Sequence, residues 1–156
     1  MTTKAAFNAE EWTMLVSAPA LTALLVIAAD KGGTVRETLA MSKAYAAARE
    51  QEHGPLLKEI LGTPPSVGPA SAPRSADDLR REAPTTLRRA IAILERLATD
   101  DEVVAYKRFV FGVADAVARA HREGGFLGIG GTEISEHEQA ALDEIAAIFD
   151  TTHHTA

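Results

Sequence analysis

The sequence predicts an all-α protein, a helical bundle of about six to eight helices in two similar halves. Three observations predict it. Apolar residues recur at intervals of three and four, alanine dominates the apolar set, and helix-start capping-box spacing is read at Asn8–Glu11, Thr34–Glu37 and Ser135–Glu138. At 156 residues the chain suits a single helical domain spanning 1–156 with its own core. The composition also bounds function. A hydrophobic share of 46% and a charged share of 24% are ordinary globular usage. A net charge of −6, with no basic stripe interleaved with aromatics, opposes a phosphate backbone and argues against nucleic-acid binding. The absence of cysteine removes disulfides, thiolate metal sites and cysteine nucleophiles, and agrees with a cytoplasmic setting.

The elements follow in chain order. Asn8 and Glu11 have capping-box spacing, so a helix is expected to begin near Ala9. It continues through Trp12 to Ala29, a stretch without a charge and long enough to raise a membrane span. Thr13, Ser17, Pro19 and Thr22 dilute it, and Glu10 and Glu11 stand where a signal peptide carries positive charge, so it reads as a central buried helix. Pro19 predicts a kink there or a junction of two helices. Thr34 and Glu37 form a second capping box, opening an alanine-rich helix to about Gln51. A short helix is expected over Leu56 to Leu61. Residues 62–74, GTPPSVGPASAPR, have too little apolar surface to fold alone and read as a flexible connector between the halves.

Ser75 is placed to cap the next segment, with Asp77 and Asp78 in its first turn, and Pro84 is expected to start a fresh helix. Leu87, Ile91, Leu94 and Ala98 form its apolar face. Between Asp101 and Arg122, the run Val103, Tyr106, Val110, Val113, Val117 and Ala120 advances by threes and fours, which decides for helix over strand. A glycine-rich loop, 124–131, precedes a third capping box at Ser135 and Glu138. Leu142, Ile145, Ile148 and Phe149 give the last helix its buried face. The tail 151–156 is expected to fray.

No motif organises catalysis. The glycine-rich loop lacks the preceding strand of a dinucleotide fingerprint and the Lys-Ser/Thr of a phosphate loop. Its Phe126, Leu127 and Ile129 instead suit a cover over the core, a partner-binding tip or a lid. No serine sits in a Gly-x-Ser-x-Gly elbow, and the histidines His53, His121, His137, His153 and His154 lack zinc-ligand spacing. Glu50 and His53 have the Glu-x-x-His spacing of a di-iron bundle, but a second copy is missing. Acidic residues gather at two helix starts, Asp30 with Glu37 and Glu133 with Glu136 and Glu138. They raise a divalent cation as the one cofactor to consider, although capping and the helix dipole account for Glu37, Glu136 and Glu138 without an ion.

Both halves place a hydrophobic helix before a glycine turn beside acidic residues and then a capped helix, AADKGGTVRE in the first and EGGFLGIGGTEISEHE in the second. The segment Gly131-Thr132-Glu133-Ile134-Ser135-Glu136-His137-Glu138 resembles the inter-helix signature of tellurite-resistance TerB-like proteins. That resemblance covers about a fifth of the chain. It implies an all-α bundle, a bacterial cytoplasmic setting and a non-enzymatic role in stress response. It also implies cation-binding carboxylates, which here fall on Asp30, Glu37, Glu133 and Glu138. The chain departs from the pattern at Lys31 and its extra glycine, in the Phe-Leu-Gly-Ile insertion, and in having Thr-Glu where the family has Asp-Gly.

The sequence therefore leads to a non-catalytic helical binding or scaffold protein, TerB-like, with a weak divalent-cation site. Its occupant would be a protein partner or a further copy of itself. The alternative is a small-molecule or lipid-binding bundle with the 124–131 loop as its lid. An enzyme ranks third, because no spacing organises its carboxylates and histidines.

Overall fold

The computed structural model describes residues 1–29, 34–65, 75–123 and 135–151, apart from the side chains of 34–37 and 121–123. Among the described residues there are six α-helices and no strand: α1 (Ala9–Ala29), α2 (Thr34–Glu50), α3 (Pro55–Gly62), α4 (Ala76–Leu97), α5 (Asp100–Glu123) and α6 (Glu136–Thr151). One turn of 3-10 helix, Lys4–Ala6, precedes them. The all-α expectation is met.

Side chains close the helix starts. The Asn8 Oδ1 accepts from the Glu11 amide at 2.9 Å while the Glu11 carboxylate accepts from the Asn8 amide at 3.0 Å. Ser135 and Glu138 make the same reciprocal pair, both bonds at 3.2 Å. Ser75 Oγ accepts from the Asp78 amide at 3.1 Å. A further box opens α5. The Glu102 carboxylate accepts from the Thr99 amide at 2.9 Å, and Thr99 Oγ1 receives the Glu102 amide at 3.4 Å. The expected Thr34–Glu37 box falls on side chains outside the described set.

Two prolines sit inside helices. Pro84 does not start a fresh helix as expected, because α4 runs unbroken from Ala76 to Leu97. Its apolar face continues through the proline, with Leu79, Ala83, Leu87, Ala90, Ile91 and Leu94 all buried. Packing along that face outweighs the one backbone bond a proline removes. α1 is likewise one helix through Pro19. An amide at position 19 would have bonded the Leu15 carbonyl, and that buried acceptor is instead met by the Tyr106 hydroxyl of α5, which donates to it at 2.8 Å.

α1 lies at the centre. Every residue from Leu15 to Ala23 is buried, and the helix packs most extensively on α4 and α5, with α6, α2 and α3 completing its surroundings. Its mean hydropathy of 1.9 would suffice for a membrane span, yet 67% of that window is buried inside the protein. Ala18, Ala20 and Ala23 bring neighbouring helices close. The buried Thr22 hydroxyl donates to the Ala18 carbonyl at 2.7 Å, so it costs no unpaired group. The main core cluster draws on all six helices, from Trp12 and Tyr45 to Leu94, Val110 and Ile145. The segments on either side of the predicted connector thus share one core. Residues 66–74 of that connector lie outside the described residues.

Three basic side chains finish helix C-termini from a distance. His53 Nε2 lies 2.7 Å from the Ala48 carbonyl, the Arg49 guanidinium donates to the Leu61 carbonyl at 2.9 Å, and Lys107 Nζ donates to the Phe149 carbonyl at 3.2 Å. Each places a donor on carbonyls that the helix itself leaves open, at the negative end of its dipole. Lys107 is only 7% exposed, and Glu95 of α4 stands 3.5 Å from its ammonium.

Candidate functional site

A groove follows the seam between α2 and α5 on the protein surface. The two helices run antiparallel, since Leu39 and Lys43 share one cleft with Ala116 and Arg119, whereas Gln51 and Glu52 share the next with Ala105 and Arg108. The clefts measure about 630 and 560 Å³ and are continuous, with Ala44 and Ala47 lining both. A third, of about 150 Å³, continues past Gly54 and Ala105 between α3 and α5. Small residues create the depression. Ala40, Ala44 and Ala47 of α2 face Ala105, Gly112 and Ala116 of α5 at helical spacing, so two packed backbones leave a trough where larger side chains would have filled it.

Gly112 is the informative position. It lies in the interior of α5, where glycine costs roughly 0.5–1 kcal/mol relative to alanine. Among the described residues a Cβ placed on it would meet nothing within 4 Å, and it is exposed. The described residues therefore give no steric reason for a glycine there. A second backbone approaching from outside would.

Charge is also organised along the groove. Lys43, Arg108 and Arg119 line it, with Glu52 at one end, in a chain whose net charge is −6. Arg119 holds Asp115 one turn earlier at 2.7 Å. That pair is solvent-accessible and so easily exchanged. Leu39, 54% exposed, adds an apolar contact at the opposite end.

Asp30, Glu133, Phe126, Leu127 and Ile129 are outside the described residues, as is the side chain of Glu37. Of the four carboxylates proposed for a cation, only Glu138 is described. It is 1% exposed, with its carboxylate turned to the Ser135 amide in the capping box. Among the described residues no three His, Asp or Glu side chains are grouped to hold a metal ion. His53 is engaged with the Ala48 carbonyl, and His137 is exposed.

Buried phenols lie behind the groove. Tyr45 packs edge-on against Phe109, ring centres 5.2 Å apart. Burial pushes its phenol up, only partly opposed by the Arg49 charge. Tyr106 is raised well above its ordinary value, first by burial and then by Tyr45 nearby. Both stay protonated at neutral pH, which suits Tyr106 as the donor to Leu15 and leaves neither as a ready general base. Comparison of the chain with family models, curated proteins and solved structures returned no match.

Sequence reasoning passed over the groove. The alanine-rich character of α2 was plain, and Ala105, Gly112 and Ala116 repeat at intervals that place them on one face. What was missing was which of the alanine faces the rest of the fold would leave uncovered.

Proposed function

We propose that this chain is a non-catalytic helical binding module whose binding face is the α2–α5 groove. The observation that carries this reading is Gly112, a helix-interior glycine with open space above it, at the floor of a surface trough. A helix laid into the trough uses that space, and small residues on both walls let its backbone come near. This is helix-in-groove recognition. The TerB resemblance adds a stress-related setting and a cation site, of which Glu138 is the one carboxylate described, and capping already accounts for it. The small-molecule or lipid alternative has less support. Its lid, residues 124–131, lies outside the described residues, and the cleft beside Leu57, Ile60 and Tyr106 is only about 150 Å³. The α2–α5 clefts, about 630 and 560 Å³, have the volume of a ligand pocket but form an open trough between two helices.

The test is selection of a displayed library of amphipathic helices on the purified chain, repeated on Gly112→Gln. Glutamine is a good helix former and its side chain has room in the free protein, so the variant keeps its fold while filling the trough. Helices that bind the parent and lose at least about tenfold in affinity on the variant support the proposal. Enrichment that ignores Gly112→Gln, or no enrichment at all, refutes it.

A further inference from the structure

The geometry points to a second copy of this chain as the occupant of the groove, docking through the outer face of its α6. This rests on the groove being the binding face.

The argument is complementarity of charge, size and length. α6 contains Glu136, Glu138, Asp143, Glu144 and Asp150 and neither Lys nor Arg. Its apolar face, Leu142, Ile145 and Ile148, is buried in the protein's own core. Glu136, Asp143, Glu144 and Asp150 are left exposed, with Ala140 and Ala147 exposed between them. None of these four carboxylates takes part in an ion pair identified among the described residues. Among the described residues Asp143 accepts from the Gln139 amide of its own helix, at 2.9 Å. The groove offers the opposite charge in Lys43, Arg108 and Arg119. Neither Lys43 nor Arg108 is ion-paired with a described residue.

Length and relief agree as well. α6 has 16 residues, roughly 24 Å at 1.5 Å per residue, and the stretch of α5 from Ala105 to Ala120 along the groove spans the same roughly 24 Å. Ala140 and Ala147 present no bulk to the Gly112 and Ala47 floor, so the backbones can approach closely. Within one copy α6 cannot reach the groove without leaving the core it helps to close. α5 packs on both α2 and α6, so the groove and the acidic helix flank the same central element. A two-fold axis then sets each groove against the partner's α6, closing a dimer with two equal contacts.

The test is sedimentation velocity across a wide concentration range on the parent and two variants. One reverses the groove (Lys43→Glu with Arg108→Glu), and the other reverses the helix (Asp143→Lys with Glu144→Lys). All four positions are exposed, and circular dichroism checks that both variants keep their helices. The parent is expected to dimerise, and each variant alone to associate at least about tenfold more weakly, because both of its contacts become repulsive. Mixed together, the two variants are expected to recover a heterodimer, since both contacts are then attractive. A parent that stays monomeric, variants that dimerise as the parent does, or a mixture that fails to pair would each overturn the inference. If the parent is monomeric while selected helices still bind in a Gly112-dependent way, the groove reading stands and only its occupant is wrong.

Discussion

Pro19 and Tyr106 are far apart in the chain and act on one atom, the Leu15 carbonyl, which the proline leaves without an amide and the Tyr106 hydroxyl meets. A proline inside a buried helix leaves the carbonyl four residues earlier without its amide partner, and a buried unpaired carbonyl costs as much as a lost bond. The Tyr106 hydroxyl, itself 1% exposed, supplies the missing donor to Leu15. Tyr106→Phe keeps the ring and removes that donor, so we expect a loss of about 1–3 kcal/mol in urea unfolding. Pro19→Ala restores an amide at the same acceptor. In that background Tyr106→Phe is expected to cost markedly less, and a double-mutant cycle reads the difference. Equal losses in both backgrounds would mean that the phenol's contribution is independent of the proline. Tyr45 stands in contrast, with a buried hydroxyl that has no hydrogen-bond partner among the described residues, so Tyr45→Phe removes no bond of this kind.

At the level of elements, helix ends are managed by side chains from other parts of the chain. Glu102 is the clearest case. Besides closing the start of α5, its carboxylate accepts from the Thr2 amide at 2.9 Å and the Thr2 hydroxyl at 2.7 Å, tying the N-terminal segment down. Partial burial by itself raises this carboxyl, but the bonds from Thr99 and Thr2 outweigh it and hold it at about 2, against an ordinary value of 4.5. Its folded value lies below its unfolded one, so its contribution to stability is complete above pH 4.5 and is lost as the pH falls toward 2. Denaturant unfolding of the parent and Glu102→Gln across that interval should show the stability gap between them narrowing with acid. A gap that stays constant would remove Glu102 from the acid response. The same logic explains why α6 tolerates having no basic residue in its last turn, since Lys107 of α5 reaches its Phe149 carbonyl.

Across the whole molecule, the helices before and after the predicted connector contribute to a single core, with α1 from the first part enclosed by α4, α5 and α6 from the second. Neither part has a complete core without the other. Leu94 on α4 has no exposed surface, and Leu94→Ala is expected to cost about 2–5 kcal/mol. Because the core is continuous, the slowest-exchanging amides of α1 and α5 should accelerate together with those of α4 in hydrogen-exchange measurements. Acceleration confined to α4 would show that the bundle opens in separate units. Dimerisation through the groove would act at this scale too, adding concentration-dependent stability to a chain whose own core is already closed.

By itself the sequence determined what is local. Helix periodicity from Val103 to Ala120, the boxes at Asn8 and Ser135, the Ser75 cap and the burial of the charge-free Trp12–Ala29 stretch of α1 could all be read directly, because each depends on residues within about one or two turns of each other. Pro84 was misread for the same reason, since a proline's local preference is visible in sequence and the packing that overrides it is not. Tertiary structure alone decided which hydroxyl meets the Leu15 carbonyl, which basic side chains finish the ends of α2, α3 and α6, and which alanine face stays uncovered. Alanine fits a tight helix contact and an open groove wall equally well, and only the positions of neighbouring helices distinguish the two.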